Sequence, residues 1–433
     1  MKKLAALLPL VALLSAPLAA HADPKHPAWS RSANVYEVNL RQYSKEGTLN
    51  AFSATLPRLK AMGVDIIWLM PIHPIGQQNR KGTLGSYYAV KDYMAVNPDY
   101  GTMDDLRRMV KQAHALGMHV ILDWVGNHTA WDNPWVSQHP DWYKKNDKGE
   151  IHSVSFKNEA GEMEEWQDVV GLDYSNKALW KGMTDAMAFW VRDVGVDGFR
   201  CDAAGLVPTE FWDQARAQLD KIKPVFMLAE WSDPGLHEKA FDASYDWHLN
   251  TIMKKIGKGE AGAAELKAYL ANPPKTYSRD AYRLQFTNNH DINSWQGTDK
   301  DLYGPAYGAM AVLSYTLPGI PLIYSGQESR LDKKLEFFEK DPIDWKTYEL
   351  EGFYAGLNTL KKQNPALWNG TAGGAVQVLD VGNEQLFAFK RQQGANMVRV
   401  IVNPTGTMQK YKLAGDEGTA VLKPWRWRII VPE

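Results

Sequence analysis

One pattern recurs in the first half of the chain, and it constrains the fold more than any other feature. A helix with one apolar face ends in glycine, and a short apolar strand follows at once. It runs Ala61-Met62-Gly63-Val64-Asp65-Ile66-Ile67-Trp68-Leu69-Met70, then Ala115-Leu116-Gly117-Met118-His119-Val120-Ile121-Leu122-Asp123. A third copy runs Asp193-Val194-Gly195-Val196-Asp197-Gly198-Phe199-Arg200-Cys201-Asp202. Glycine suits the left-handed position that closes a helix, and an uninterrupted apolar run suits a strand buried on both faces. The helix before the second copy shows the reasoning in detail. Thr102 is placed to cap it, with Asp105 three residues on, and Leu106, Met109, Val110, Ala113 and Leu116 fall on one face.

Helices alternating with buried strands imply a parallel sheet. Further strands are expected within residues 35–39, 225–230, 241–245, 282–287 and 321–325. The total then reaches eight, the number that a closed (β/α)8 TIM barrel requires, with a doubly wound open sheet as the alternative. Residues 129–172 break the rhythm. They are polar and Trp-rich and read as a short excursion after the third strand. Past about residue 365 the helical signal gives way to alternating segments at 374–381, 385–390, 397–402 and 425–431. The organisation expected is α/β: a barrel over 23–362 that includes the excursion, then a C-terminal antiparallel β-sandwich domain over 363–433. No low-complexity linker separates the two, so they should pack tightly.

Residues 1–22 have the order of a secretory signal peptide: Lys2-Lys3, an apolar run from Leu4 to Leu14, then small residues ending at Ala22. Cleavage after Ala22 is expected, with export to a periplasm or the medium. The apolar run is too short to span a bilayer. The formal charge is −1 from 49 basic and 50 acidic residues. Losing Lys2 and Lys3 makes it about −3, which gives no electrostatic case for nucleic acid or an anionic membrane. The single cysteine, Cys201, cannot form an internal disulfide, so stability must come from the core. The oligomeric state stays open, with a monomer favoured.

In a (β/α)8 barrel, chemistry gathers at the C-terminal ends of the strands. The third strand ends Asp123-Trp124-Val125-Gly126-Asn127-His128, and the fourth ends Arg200-Cys201-Asp202. The fifth ends Glu230-Trp231, and the seventh runs into Asn288-Asn289-His290-Asp291. Four strands thus deliver carboxylates, an arginine and two histidines to one rim. A carboxylate beside an apolar run is costly unless paired or used. Glycoside hydrolysis needs such a set: one carboxyl to protonate the leaving oxygen, and another to attack the anomeric carbon or activate water.

Those four blocks, in that order, resemble the α-amylase family of glycoside hydrolases along nearly the whole mature length. Tyr88-Ala89-Val90-Lys91-Asp92-Tyr93, Gly171-Leu172-Asp173-Tyr174 and Pro318-Gly319-Ile320-Pro321 also look like the family. The resemblance implies a carbohydrate substrate, an α-glucan, and a retaining hydrolase acting on α-glucosidic, mainly α-1,4, bonds. It makes Asp202 the nucleophile, Glu230 the general acid and then base, and Asp291 a clamp on sugar hydroxyls. Tyr88, His128, Arg200 and His290 would form the substrate-binding set: the two histidines would bond the sugar, Tyr88 would stack on it, and Arg200 would also keep Asp202 ionised. Glu230 must instead stay protonated near neutral pH. No cofactor is required for this chemistry, and no residue is assigned to a catalytic metal. Family members often hold a structural Ca²⁺ between barrel and excursion. Asn127 and Asp173 match two of its positions, Asp168 is a third candidate, and Leu206 could offer a carbonyl.

The chain departs from the family at one place. Many members carry Lys-His shortly after the nucleophile, to bind the leaving-group sugar. Here Asp202 is followed by Ala203-Ala204-Gly205-Leu206. Two other readings therefore stay open: an α-glucan transglycosylase or isomerase on the same scaffold, and a non-catalytic glucan-binding protein.

Overall fold

The computed structural model describes residues 26–157, 161–413 and 418–432. The signal sequence expected over residues 1–22 lies outside them. Eight parallel strands close into a barrel: Val35–Val38, Ile66–Leu69, His119–Val125, Gly198–Asp202, Phe226–Ala229, Ala243–Tyr245, Tyr282–Gln285 and Ile320–Tyr324. Each strand lies beside the one before it in sequence. The first closes the ring by pairing on both sides, Val35 with Ile66 and with Leu322. All eight expected strands form, most of them a residue or two shorter than the apolar runs suggest.

The recurring glycines act as expected. Gly63, Gly117 and Gly195 have φ of 88°, 69° and 89°, and each turns the chain from a helix toward the next strand. Thr102 caps the helix Met103–Ala115 in a reciprocal box: Asp105 N–H donates to Thr102 Oγ1 at 3.1 Å, and Thr102 N–H donates to Asp105 Oδ2 at 2.8 Å. Its buried face is Leu106, Met109, Val110 and Ala113. Gly198 has another role, at the start of the fourth strand. Its φ is 151°, and a Cβ there would lie 1.9 Å from the Phe226 carbonyl oxygen on the fifth strand. Two barrel strands approach each other too closely for any side chain at that point.

The excursion carries no βα unit. It forms an antiparallel sheet in which Met163–Gly171 runs between His128–Ala130 and Ser153–Lys157. Beyond the barrel, Ala375–Val378, Phe387–Gln393, Asn396–Val402 and Trp427–Ile430 make a four-stranded antiparallel sheet. A two-stranded ribbon, Gln409–Tyr411 with Ala420–Leu422, lies in short segments where no strand was expected. The pleat sorts the side chains. Phe387, Phe389, Val398 and Val400 join the main core with the barrel, while Ala388 and Ile401 join a smaller one with Tyr411 and Leu422.

Arg391 locks the C-terminal sheet to the barrel. It is 1% exposed and donates to the carbonyls of Thr316, Leu317, Leu367, Trp368 and Gly374. Thr316 ends a barrel helix, Tyr307–Thr316, so the guanidinium sits where unpaired carbonyls gather. The tight packing expected from the missing linker therefore has a definite contact behind it. Among the described residues, no helix is long and apolar enough to cross a membrane.

Candidate active site

The barrel strands bring the candidate residues to one rim. Asp202, Glu230, Asp291, Tyr88, His128 and His290 all line a single cavity of about 550 Å³. Sequence positions spread over some two hundred residues meet there because each follows a different strand of the same closed sheet.

Arg200 stands apart from this wall. It is fully buried beneath the acids and does not line the cavity. Being two residues before Asp202 on one strand, it projects to the same face. Its Nη1 donates to Asp123 Oδ1 at 2.9 Å and to Asp202 Oδ1 at 3.1 Å. Its Nη2 lies 2.6 Å from Glu230 Oε1, a charge contact without hydrogen-bond alignment. The rings of Trp68, Tyr88 and Tyr245 surround the guanidinium at 5.0, 5.8 and 5.7 Å. Arg200 was expected to bind substrate, but its burial makes it a positioning residue that holds three carboxyls.

One cation shared among three acids cannot keep all of them at their usual pKa. Burial pushes Glu230 up to about 7, against Arg200 and with help from the Asp202 and Asp291 charges. Burial likewise raises Asp202 to about 6, with Arg200 opposing. Arg200 was expected to keep Asp202 ionised. It pulls that way, but desolvation outweighs it, and Asp202 still lies below Glu230. Asp123 is raised to about 6 for the same reason.

The backbone after Asp202 helps to fix Glu230. Ala203 turns into the left-handed region, φ 42°, and its N–H donates to Glu230 Oε2 at 2.9 Å. A non-glycine residue held there is strained. Here the strain delivers a donor to one carboxyl from the residue beside the other.

On the opposite side, a chain of polar contacts fixes His290. Its Nδ1 lies 2.5 Å from Glu37 Oε1, and its Nε2 lies 2.8 Å from Tyr88 Oη and 3.3 Å from Asp291 Oδ2. Tyr88 Oη donates in turn to Asp123 Oδ2 at 3.2 Å, which also accepts from Trp68 Nε1 at 3.1 Å. Burial alone would depress His290. The Asp291 charge, then the charge and hydrogen bond of Glu37, reverse this and raise it to about 9. His290 is then an imidazolium that donates through both nitrogens. His128 behaves oppositely: burial lowers it to about 4, so it lines the cavity as neutral imidazole.

Several residues at this site were not singled out from the sequence. Glu37 is one, although a lone acid in the apolar strand Val35–Val38 was a usable signal. Trp295, Phe337 and Phe338 line the cavity from loops after the seventh and eighth strands. Trp166 and Lys81 line it from the excursion and the loop after the second strand, beside Asp168, which the sequence marked only as a candidate for Ca²⁺. Nothing in the periodicity of such loops marks them. Cys201 alternates away from the site and is buried.

The residues proposed for Ca²⁺ have other partners in this structure. Asp168 faces the cavity, where it pairs with Lys81 Nζ at 3.0 Å. Asn127 accepts from Leu172 N–H through its carbonyl at 3.0 Å, and its side-chain nitrogen lies 3.2 Å from His128 Nδ1. Asp173 accepts from Ser175 N–H at 3.0 Å and, with Leu206, Lys144 and Lys177, lines a separate cavity. Among the described residues, no group of three or more His, Cys, Asp or Glu is arranged to hold a metal.

The comparisons with known proteins agree with this geometry. The model of the alpha amylase catalytic domain matches residues 30–374. The chain is 28% identical to an alpha-1,4-glucan:maltose-1-phosphate maltosyltransferase of Rhodospirillum rubrum, over 89% of this chain and 59% of that one. It is 25% identical to alpha-amylase 2 of Dictyoglomus thermophilum, over 80% of this chain and 66% of that one. It thus spans less than two thirds of either relative. A crystal structure of an alpha-amylase from Lactobacillus plantarum superposes with a TM-score of 0.82 at 29% identity, covering 94% of this chain and all of that one. A noncanonic maltogenic alpha-amylase from Thermotoga neapolitana gives 0.79, also at 29% identity, over 93% and 96% of the two chains. With a closed barrel, convergent carboxyls at its rim and a family model matched over most of its length, the chain belongs to the alpha-amylase family.

Proposed function

We propose that the protein is a retaining hydrolase of α-glucosidic, mainly α-1,4, bonds in starch, glycogen or maltooligosaccharides. The observation that carries this reading is the pair Asp202 and Glu230, which line one cavity and share one buried guanidinium at 3.1 and 2.6 Å, while burial raises both carboxyls. Near neutral pH such a pair supplies a carboxylate and a carboxylic acid side by side.

In this reading Glu230 gives its proton to the glycosidic oxygen as an Asp202 oxygen bonds to the anomeric carbon. The glycosyl-enzyme then meets water, which loses a proton to the Glu230 carboxylate as its oxygen displaces Asp202. Asp291 accepts hydrogen bonds from sugar hydroxyls, and the imidazolium of His290, whose two N–H groups are engaged by Glu37 and Tyr88, offers a fixed positive charge and holds Tyr88 in place. His128 adds a neutral contact, and Tyr88 offers its ring to the same sugar. At the barrel end of the cavity, five carboxyl groups (Glu37, Asp123, Asp202, Glu230 and Asp291) lie around two cations, Arg200 and His290, while Lys81 pairs with Asp168 further out. That excess of acid favours the cationic, oxocarbenium-like transition state.

The decisive experiment is Asp202→Asn with soluble starch. Release of reducing sugar should vanish while circular dichroism stays native; a variant that keeps full activity would sink the assignment. A second reading, transfer of a glucosyl unit to another sugar, is favoured by the similarity to a maltosyltransferase. Products from maltotriose separate the two, since longer oligosaccharides mean transfer, and glucose with maltose means hydrolysis. The order of residues 1–22 supports export to the periplasm or medium. N-terminal sequencing of the mature protein would test this, with Asp23 as the expected first residue.

A further inference from the structure

The cavity that holds Asp202 and Glu230 is walled unevenly. Besides Asp202, Ala203 and Glu230, its lining comes from segments after the second, third, seventh and eighth strands. Among the described residues, none between Glu230 and His290 lines it, so the loops after the fifth and sixth strands add no wall. The eight strands form a closed ring in sequence order, so the first lies across from the fifth, with the second and eighth on its flanks. The loops after the second and eighth strands therefore wall the side across the barrel from Glu230.

Residues 77–86, after the second strand, are fastened on both edges. On one edge they hold the loop after the eighth strand. Leu84 N–H donates to the Phe338 carbonyl at 3.1 Å, and Thr83 N–H donates to Glu339 Oε1 at 2.8 Å. Gly82 has φ of 62°, and a Cβ there would come within 2.5 Å of Phe338 Cβ. Beneath them Arg41, 5% exposed, donates to the carbonyls of Gly85 at 2.9 Å and Leu84 at 3.2 Å. On the other edge Lys81 Nζ reaches the excursion, 3.0 Å from Asp168 Oδ1. An ion pair in open water contributes little, but the Asp168 side chain is only 6% exposed, so losing Lys81 would strand a shielded carboxylate. Lys81, Asp168 and Phe338 all line the cavity, so the fastened loop forms part of its wall.

We propose that this loop, latched by Lys81 to Asp168, blocks the far end of the cavity, so that the protein takes α-glucans by their non-reducing ends and does not cut within the chain. This rests on the reading that Asp202 and Glu230 cleave the bond. Glu230 protonates the departing oxygen, so the leaving sugar lies on the Glu230 side. The glycosyl part held by Asp202 extends toward the opposite, walled side. That part keeps its anomeric carbon at the cleaved bond, so the end that meets the wall is the non-reducing one. A chain that continued past the wall would have to displace Phe338 or part Lys81 from Asp168. A clash of this kind discriminates by penalising the wrong substrate, here an interior segment.

The test compares 4-nitrophenyl α-maltoheptaoside with the same compound carrying a 4,6-ethylidene cap on its non-reducing glucose. An enzyme that cuts within chains tolerates the cap, and one that takes chain ends does not. The readout is the ratio of the two cleavage rates, with products separated by chromatography. Both rates come from one preparation, so partial loss of folded enzyme cancels. The wild type should cleave the capped compound about a hundredfold more slowly than the free one. Lys81→Ala and Asp168→Ala should each narrow that gap about tenfold, and Lys81→Arg, which keeps the charge pair, should stay within about threefold of the wild type. A wild type that cleaves both compounds at similar rates overturns the proposal and leaves the functional reading standing. A ratio unchanged in both alanine variants overturns it as well. A wild type that cleaves neither compound overturns the functional reading itself, and this one with it.

Discussion

Replacing Glu37 by glutamine tests whether a buried charge outside the cavity wall sets the state of a residue inside it. Glu37 and His290 are buried, at 0% and 2% exposure, so solvent screens their interaction little. Glutamine keeps an oxygen that can accept from His290 Nδ1 and removes only the charge. Raising the His290 pKa from 6.5 to about 9 corresponds to about 3 kcal/mol of preference for the imidazolium. Asp291, 3.3 Å away, supplies the larger charge contribution and remains in the variant. Loss of Glu37 should therefore lower the pKa by about one to two pH units, or about 1–3 kcal/mol.

The sign follows from linkage. His290 has a higher pKa folded than unfolded, so its stabilisation is complete below about pH 6.5 and fades as the pH rises through about 9. In the variant it should fade earlier, near about pH 7–8. The two proteins should thus differ most in thermal midpoint near pH 6 and converge above pH 9. Histidine-labelled NMR follows the titration directly among 11 histidines, with His290→Gln to assign the signal. If His290 titrates at the same pH in wild type and variant, or below pH 7 in the wild type, the reasoning fails.

Other consequences can be checked separately. The pH profile of kcat/KM should be a narrow bell. It should rise near pH 6 as Asp202 ionises and fall near pH 7 as Glu230 loses its proton, with both limbs belonging to the coupled pair; a plateau from pH 5 to 9 would contradict it. Arg391→Leu should leave several buried carbonyls unpaired and cost on the order of 3–5 kcal/mol, seen as a large drop in the thermal midpoint. Gly198→Ala should fail to give soluble folded protein, because its methyl group would strike the Phe226 carbonyl inside the barrel wall. Normal yield and a native circular dichroism spectrum would show that the two strands can separate.

Much of the architecture was legible because it rests on local rules. A strand buried on both faces must be apolar throughout, and a helix must end before it, so the Gly63, Gly117 and Gly195 junctions announced both elements and their order. Strand ends were legible too, since an acid after an apolar run, as at Asp202 and Glu230, has few structural uses. The excursion and the small ribbon at Gln409–Tyr411 and Ala420–Leu422 were less readable. Short strands with one face in water have little period to show, and their pairing depends on distant partners.

The sequence by itself determined the alternation of helices and buried strands, the strand-rich C-terminal segment and the acids at the strand ends, because periodicity, turn chemistry and strand-end position are properties of neighbouring residues. Only the tertiary structure decided how those acids share charge. Burial is a property of everything packed around a group. It put Arg200 beneath three carboxyls instead of against the sugar, raised Glu230 above Asp202, and turned Glu37 and Asp291 onto His290. It also set the ring of Trp231 on Gly205. A glycine and a tryptophan 26 positions apart reveal their contact only when neighbouring strands of the barrel set one on the other.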